Sequence, residues 1–330
     1  MTREHGERGD GLVASKPYRV SIEDVGDRAA AAFLGFASGD ALGATAEFLT
    51  PTEIQAQFGV LRDIVGGGWL RLPAGSVTDD TEMSLCIARS IVEVGFSPQD
   101  IAERFAAWLK TAPRDVGATC RRGIRRYIVE GTVFAQPSEM DAGNGAVMRM
   151  LPIALASVGD SSVLAKWSTA QAHITHYHPL SDAACLIFGQ LLHLALVGHG
   201  KPRLLALTDD FLSHYPTFKF DGKFVQSSAY VVDTLRTVLR AFFETNTFED
   251  CVVRTVNWGG DADTTGAIVG ALAGAYYGLQ EIPRRWSKKL QGEVAKEVQR
   301  LARDLVARSP VAARPLNVDV PRVFLRGLIE

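Results

Sequence analysis

Asn257-Trp258-Gly259-Gly260-Asp261-Ala262-Asp263-Thr264-Thr265-Gly266 is the stretch from which the rest of the chain can be read. A Gly-Gly turn delivers two carboxylates and a hydroxyl, and the run that follows, from Thr264 to Leu279, is nearly free of polar side chains. Such a run reads as a buried helix. Asp261 and Asp263 then stand at its N-terminus, where orphan N–H groups and the helix dipole favour ionised carboxylates. Gly266, Gly270, Gly274 and Gly278 recur along it at every fourth residue. Glycine weakens a helix interior by about 1 kcal/mol relative to alanine, so a stripe of it predicts close approach by another backbone. Gly35, Gly39 and Gly43 form a matching stripe in the apolar segment Ile22 to Gly43. The two ridges are expected to meet in one core.

A second acidic start, Thr78-Asp79-Asp80-Thr81-Glu82, precedes the apolar Met83-Ser-Leu-Cys-Ile-Ala. Asp at a helix start is a common N-cap, and one such segment would mean no more than that. Two of the same kind suggest a shared site. Carboxylate and hydroxyl oxygens suit Mg²⁺ or Mn²⁺, whereas zinc prefers nitrogen and sulfur. Folding is therefore expected to bring residues 78–80 against residues 261–264.

Helical periodicity dominates elsewhere. Thr50-Pro51 and Ser97-Pro98 start helices by cap-and-proline chemistry, the second with Ile101, Phe105 and Trp108 on one face. Further helices are expected near 116–130, 144–156, 161–174, 180–197, 227–243 and 248–256. A last long one, 284–307, carries Trp286, Leu290, Val294, Val298, Leu301 and Leu305 on one stripe. No alternating strand run, fixed-period repeat or low-complexity tract emerges. The expected fold class is all-α, a single-domain compact helical bundle over 28–310. Residues 1–27 are read as a flexible N-terminal extension and 311–330 as a C-terminal tail.

With 330 residues, 47% hydrophobic and 22% charged, the chain can bury a sizeable core. A formal net charge of −2 lacks the basic excess of a nucleic-acid binder, which leaves small molecules or proteins as partners. Cys86, Cys120, Cys185 and Cys251 form no C-x-x-C pair, which argues against a disulfide framework or structural zinc and suits a reducing, cytoplasmic setting. Met1 to Ser21 lacks the apolar core of a secretory signal. The apolar run Ala267 to Tyr277 is shorter than the ~20 residues that cross a bilayer.

Other stretches carry two readings each. Gly143-Asn144-Gly145 opens an expected helix whose exposed N–H groups could cradle phosphate, or is an ordinary turn. Gly66-Gly67-Gly68-Trp69 lacks any nucleotide-loop frame. His173-Ile-Thr-His176-Tyr-His178 lacks the i, i+4 spacing of a helical zinc pair, and His176 is read either as a donor to substrate hydroxyls or as a helix-ending His. Arg121, Arg122, Arg125 and Arg126 form one basic helix stripe, ordinarily a solvated face and here a candidate docking surface. Asp115 is a cap by default and a catalytic acid only by context.

Taken in order, these motifs make the chain resemble the ADP-ribosylglycohydrolase family from about Ala29 to Ser309. They are Gly39-Asp40-Ala41-Leu42-Gly43-Ala44 leading to Glu47-Phe48, Thr78-Asp79-Asp80-Thr81-Glu82, Gly143-Asn144-Gly145 leading to Met148-Arg149, Thr175-His176, and Gly259-Gly260-Asp261-Ala262-Asp263-Thr264. Gly66-Gly-Gly-Trp-Leu, Asp115-Val-Gly and Arg121-Arg-Gly-Ile-Arg-Arg look like the nitrogenase-linked branch of that family.

The resemblance implies an all-helical fold with two Mn²⁺ or Mg²⁺ ions held by Thr78, Asp79, Asp80, Asp261, Asp263 and Thr264. It puts a diphosphate loop on Gly143, Asn144 and Gly145, a ribose contact on His176, a gating acid on Glu47 and an acid/base on Asp115. It implies hydrolysis of the bond between ADP-ribose and an arginine of dinitrogenase reductase, with a PII-type regulator as a further partner and recruitment to the inner membrane through a complex. Cleavage from another acceptor (serine, a DNA base or a polymer) and non-catalytic ADP-ribose binding are the alternatives.

Overall fold

Ser21 starts the first helix with a reciprocal box. Its hydroxyl accepts from Asp24 N–H, and the Asp24 carboxylate accepts from Ser21 N–H. The computed structural model describes residues 20–222 and 226–313, and within them the helices follow in order. They are α1 (Ile22–Gly43), α2 (Pro51–Phe58), α3 (Asp79–Val94), α4 (Pro98–Lys110), α5 (Ala118–Glu130), α6 (Leu151–Ser157), α7 (Ser161–Ala172) and α8 (Pro179–Leu196). After these come α9 (Lys201–His214), α10 (Val231–Glu244), α11 (Phe248–Asn257), α12 (Ala262–Tyr277), α13 (Arg284–Ser287), α14 (Val294–Arg308) and α15 (Pro310–Ala313). Among the described residues no strand forms; Gly67 with Leu72 and Gly143 with Tyr230 make isolated antiparallel bridges.

The glycine ridges do meet, and they make α1 and α12 the axis of the core. A Cβ on Gly39 would lie 2.0 Å from Gly266 O, one on Gly43 2.2 Å from Ala262 O, and one on Gly270 2.3 Å from Gly35 O. Only residues without a side chain allow that approach. Gly278, counted with the ridge from its spacing, instead caps α12 at φ 89° with open space around it. α11, α14 and α10 pack around the pair. Length and composition alone would let α8 cross a membrane, but 83% of that stretch is buried inside the fold, so it is a core helix.

The helix expected over 144–156 is instead a short 3-10 turn, Asn144–Ala146, followed by α6 from Leu151. The expected 284–307 helix breaks into α13 and α14. Gly292 turns at φ 58° and Gln291 N–H donates to Gly75 O, yet Trp286, Leu290, Val298, Leu301 and Leu305 all stay buried as their spacing foretold. α9 escaped the sequence reading because few of its side chains are buried, Leu204, Thr208 and Phe211 alone. The domain boundary drawn at residue 28 cuts through α1. That drawn at 310 cuts off Val311, which is buried and whose N–H donates to Val158 O. Among the described residues the helices thus run from Ile22 to Ala313. Of the expected extension and tail, residues 1–19 and 314–330 lie outside the described residues.

Candidate active site

Because α1 and α12 lie backbone to backbone, the start of α12 is carried to the start of α3. Thr264 Oγ1 donates to Asp80 Oδ2 at 3.2 Å, and Thr78 Oγ1 lies 3.2 Å from the same oxygen. Thr264 thus reaches a carboxylate 184 residues away in sequence. Asp79 Oδ2 accepts from Gly117 N–H at 3.0 Å, just past Asp115. Glu47, Asp261 and Asp263 each bring a carboxylate oxygen within 4.8 Å of the others. All six expected ligands, Thr78, Asp79, Asp80, Asp261, Asp263 and Thr264, are buried.

Burial and mutual repulsion disturb Glu47, Asp79, Asp80, Asp115 and Asp263. Burial first, then the charges of Asp115, Asp261 and Asp79, raises Glu47 to about 8. Burial followed by the Asp115 charge raises Asp79 to about 8. Asp80 and Asp263 are pushed well above the ordinary carboxylate range, again by burial first. Asp115, half-buried, rises to about 6 through burial and the Asp261 charge, against the Val116 N–H that it accepts. Carboxylates crowded in this way cannot all ionise unless a cation intervenes. Asp80 Oδ1 is buried without a hydrogen-bond partner, an acceptor left for something the protein does not supply. Acid oxygens, threonine hydroxyls and that orphaned atom make a donor set fit for a hard divalent cation.

The Gly143-Asn144-Gly145 segment closes one side. Its Asn144 is engaged within the protein: N–H donates to Ala229 O at 2.9 Å, and Nδ2 donates to Asp261 Oδ2 at 2.5 Å and to Thr234 Oγ1 at 3.0 Å. Asn144 thus orients a cluster acid, and its own N–H is engaged within the protein. His176 is buried beneath the loop, its ring filling the space where a Cβ on Gly143 or Gly145 would sit, 2.9 and 2.6 Å away. It follows α7 rather than ending it. Burial first, then Arg149 and Arg122, holds the imidazole well below its usual pKa, hence neutral. The basic stripe divides. Arg122 pairs with Asp141 and Arg126 donates to Ile174 O at 3.0 Å, while Arg121 and Arg125 face solvent.

Two side chains quoted in the motifs prove to hold the site together without having been singled out, and a third touches its edge. Asp40 is fully buried on α1 and accepts from both Thr78 and Thr81, the Thr81 hydroxyl at 2.5 Å and the two N–H groups at 3.1 and 3.2 Å, so it fastens the α3 start. An acid inside a glycine ridge was the available signal. Arg149, also fully buried, donates to Gly145 O at 2.8 Å, Gln171 O at 2.9 Å and Thr175 Oγ1 at 2.8 Å, with Phe105 5.1 Å away. It ties the glycine-flanked loop to the Thr175-His176 turn. Trp69 donates its indole N–H to Glu47 Oε2 at 2.5 Å.

A family model described as ADP-ribosylglycohydrolase matches residues 21–314. The chain belongs to the ADP-ribosylglycohydrolase family. It is 54% identical over 284 residues to the ADP-ribosyl-[dinitrogen reductase] glycohydrolase of Rhodospirillum rubrum, covering 86% of this chain and 97% of that protein. It is 34% identical to the ADP-ribosylarginine hydrolase Tri1 of Pseudomonas putida (strain GB-1), over 90% of this chain and 82% of that one. A solved structure titled ADP-ribosylglycohydrolase-related protein complex superposes with a TM-score of 0.76 at 37% identity, over 87% of this chain and 99% of its own. The family's helical architecture is the one described above, and the buried acid cluster lies inside the matched span.

Proposed function

We propose that this chain is a metal-dependent hydrolase that removes ADP-ribose from an arginine side chain of a modified protein, with dinitrogenase reductase as its target. The observation that carries the reading is the convergence of Thr78–Asp80 with Asp261–Thr264 around the partnerless Asp80 Oδ1. Its specificity is supported by the 54% identity to the Rhodospirillum rubrum enzyme along nearly that protein's whole length. Two Mn²⁺ or Mg²⁺ ions would be held by Thr78, Asp79, Asp80, Asp261, Asp263 and Thr264, where such ions supply Lewis-acid polarisation of sugar hydroxyls and acidify water.

The chain's own residues do the rest. In the hydrolysis, water gives its oxygen to C1″ of the ribose, the C1″–N bond breaks, and the leaving guanidine takes a proton. Asp115, half-buried at the edge of the cluster and with its carboxyl raised to about 6, moves that proton. Glu47, 7% exposed, borders the cluster as the gating acid and accepts the Trp69 N–H. Asn144 keeps Asp261 in register, and Gly143, Gly145 and the His176 beneath them shape the wall against which ADP-ribose is oriented. Arg121 and Arg125 offer exposed charge to an acidic partner, and a PII-type regulator, with cytoplasmic placement and recruitment to the inner membrane through it, belongs to the same reading.

Incubation with ADP-ribosylated dinitrogenase reductase tests the proposal. ADP-ribose should be released, excess chelator should stop the release, and Mn²⁺ should restore it. Release from ADP-ribosyl-serine peptides but not from the arginine-linked protein would move the activity to another acceptor. Full activity in chelator would end the metal reading.

A further inference from the structure

The glycine loop that stood out in the sequence plays no part in the hydrolytic steps above, yet it is built to hold one side chain. Gly66, Gly67 and Gly68 take φ of 72°, 89° and 65°, and Arg71 follows at 51°. Gly67 and Leu72 exchange N–H···O bonds of 2.7 and 2.9 Å, so the chain between them is a tight hairpin that presents Trp69 and Leu70. A Cβ on Gly68 would lie 2.3 Å from Ala44 O, which clamps the hairpin onto the end of α1. Thr45 Oγ1 donates to Gly66 O at 3.1 Å from the same side.

Trp69 is thereby fixed beside Glu47 of the acid cluster. Its N–H is committed to Glu47, and its ring lies 5.3 Å from that of Phe48, inclined by 48°. Phe48 holds a φ of 65°, unusual for a bulky residue, with its N–H on Gly260 O at 2.7 Å. Both rings remain in water, Trp69 53% and Phe48 63% exposed. Large rings held outward by a strained, clamped backbone beside a catalytic cluster mark a contact surface rather than a core.

The adjoining cleft has the complementary charge. Leu70 and Leu72 of the same hairpin line a cavity of about 340 Å³ together with Glu82 and Asp115, beside the expected metal ligands Thr78 and Asp79 and against Arg114 as the cation on that lining. Glu82 is oriented by Trp108, whose Nε1 donates to its Oε2 at 2.7 Å. An aromatic face beside carboxylates attracts a planar, weakly hydrated cation. We propose that Trp69 selects the arginine acceptor, its indole face receiving the guanidinium of the modified side chain while the acid-lined cleft balances the charge. The inference rests on the hydrolase reading above and adds to it the residue that distinguishes arginine from an uncharged acceptor.

Steady-state hydrolysis of an ADP-ribosyl-arginine peptide by the Mn²⁺-loaded protein tests this, with calorimetric titration of free ADP-ribose as the second readout. Trp69→Leu should raise KM roughly tenfold, the scale of one partly desolvated cation–π contact, with kcat within about twofold and free ADP-ribose affinity unchanged. Trp69→Phe keeps a ring but loses the bond to Glu47, and should stay within about threefold of the unaltered protein. Two outcomes overturn the inference: Trp69→Phe failing as badly as Trp69→Leu, which would mean that the residue acts through Glu47, or ADP-ribose affinity falling in step with KM. Failure of the unaltered protein to cleave the arginine substrate would instead overturn the functional reading itself.

Discussion

Gly39→Ala should be among the most damaging single-methyl additions this chain can receive. The new Cβ would lie 2.0 Å from Gly266 O and 2.5 Å from Gly266 C, and both atoms are backbone, so no rotamer change relieves the clash. Ordinary contact needs about 3.5 Å, so α1 and α12 must part locally by roughly 1.5 Å. Overpacking of a well-filled core costs about 1–3 kcal/mol when side chains can adjust; here they cannot, and the upper end applies. The alanine returns about 1 kcal/mol of helix propensity, leaving a net loss of about 2 kcal/mol or more. Gly26→Ala, on the same helix, supplies the control. Its Cβ would meet Arg303 Cγ at 3.8 Å, an ordinary contact, so only the propensity gain of up to about 1 kcal/mol remains. The two variants should differ by roughly 3 kcal/mol, read as urea midpoints by far-UV circular dichroism and tryptophan fluorescence. A Gly39→Ala protein as stable as the parent, or a Gly26→Ala protein equally weakened, would refute the close-packed axis.

Asp115→Asn should preserve the fold and ADP-ribose affinity while turnover falls by roughly a hundredfold or more, the usual scale for losing a positioned acid/base; near-normal turnover would reduce Asp115 to a cap. Asp40→Ala should leave the buried N–H groups of Thr78 and Thr81 without an acceptor and cost about 2 kcal/mol or more, with Mn²⁺ affinity weakened as the α3 start loosens; calorimetry that finds both unchanged would contradict the anchoring role. Metal-free protein should lose stability as pH rises. Asp40 is raised to about 7 and Asp79 to about 8 by burial, whereas both sit near 4 when unfolded, so their contribution is complete below about pH 4 and is lost as pH climbs through 7 to 8. Tm of the chelated protein should therefore fall between about pH 5 and 8, and Mn²⁺ should raise it more at the upper end; a flat or rising profile would show that the acids are not crowded as described.

The sequence by itself determined whatever depends on local periodicity and on chemistry carried within a few residues. Four-residue glycine spacing on α1 and α12 foretold their contact, because nothing but backbone proximity compensates so much lost propensity. Threonine and serine before proline marked the starts of α2 and α4, since capping is a bond between near neighbours. The paired acidic starts were also legible, because one would pass for an ordinary N-cap whereas two of the same kind suggested a shared site. What the tertiary structure alone decided were the relations across long separations. Asp40 reaches Thr78 and Thr81, Arg149 binds the Gly145, Gln171 and Thr175 segments, and Asn144 spends its amide on Asp261. The basic stripe on α5 looked uniform in sequence, yet Asp141 and Ile174 O claimed two of its four arginines. A hydrogen bond between distant segments leaves no periodic trace in either one. For the acid cluster the choice of partner belongs to the packing of α1 on α12, which brings Asp40 and Thr264 to the start of α3.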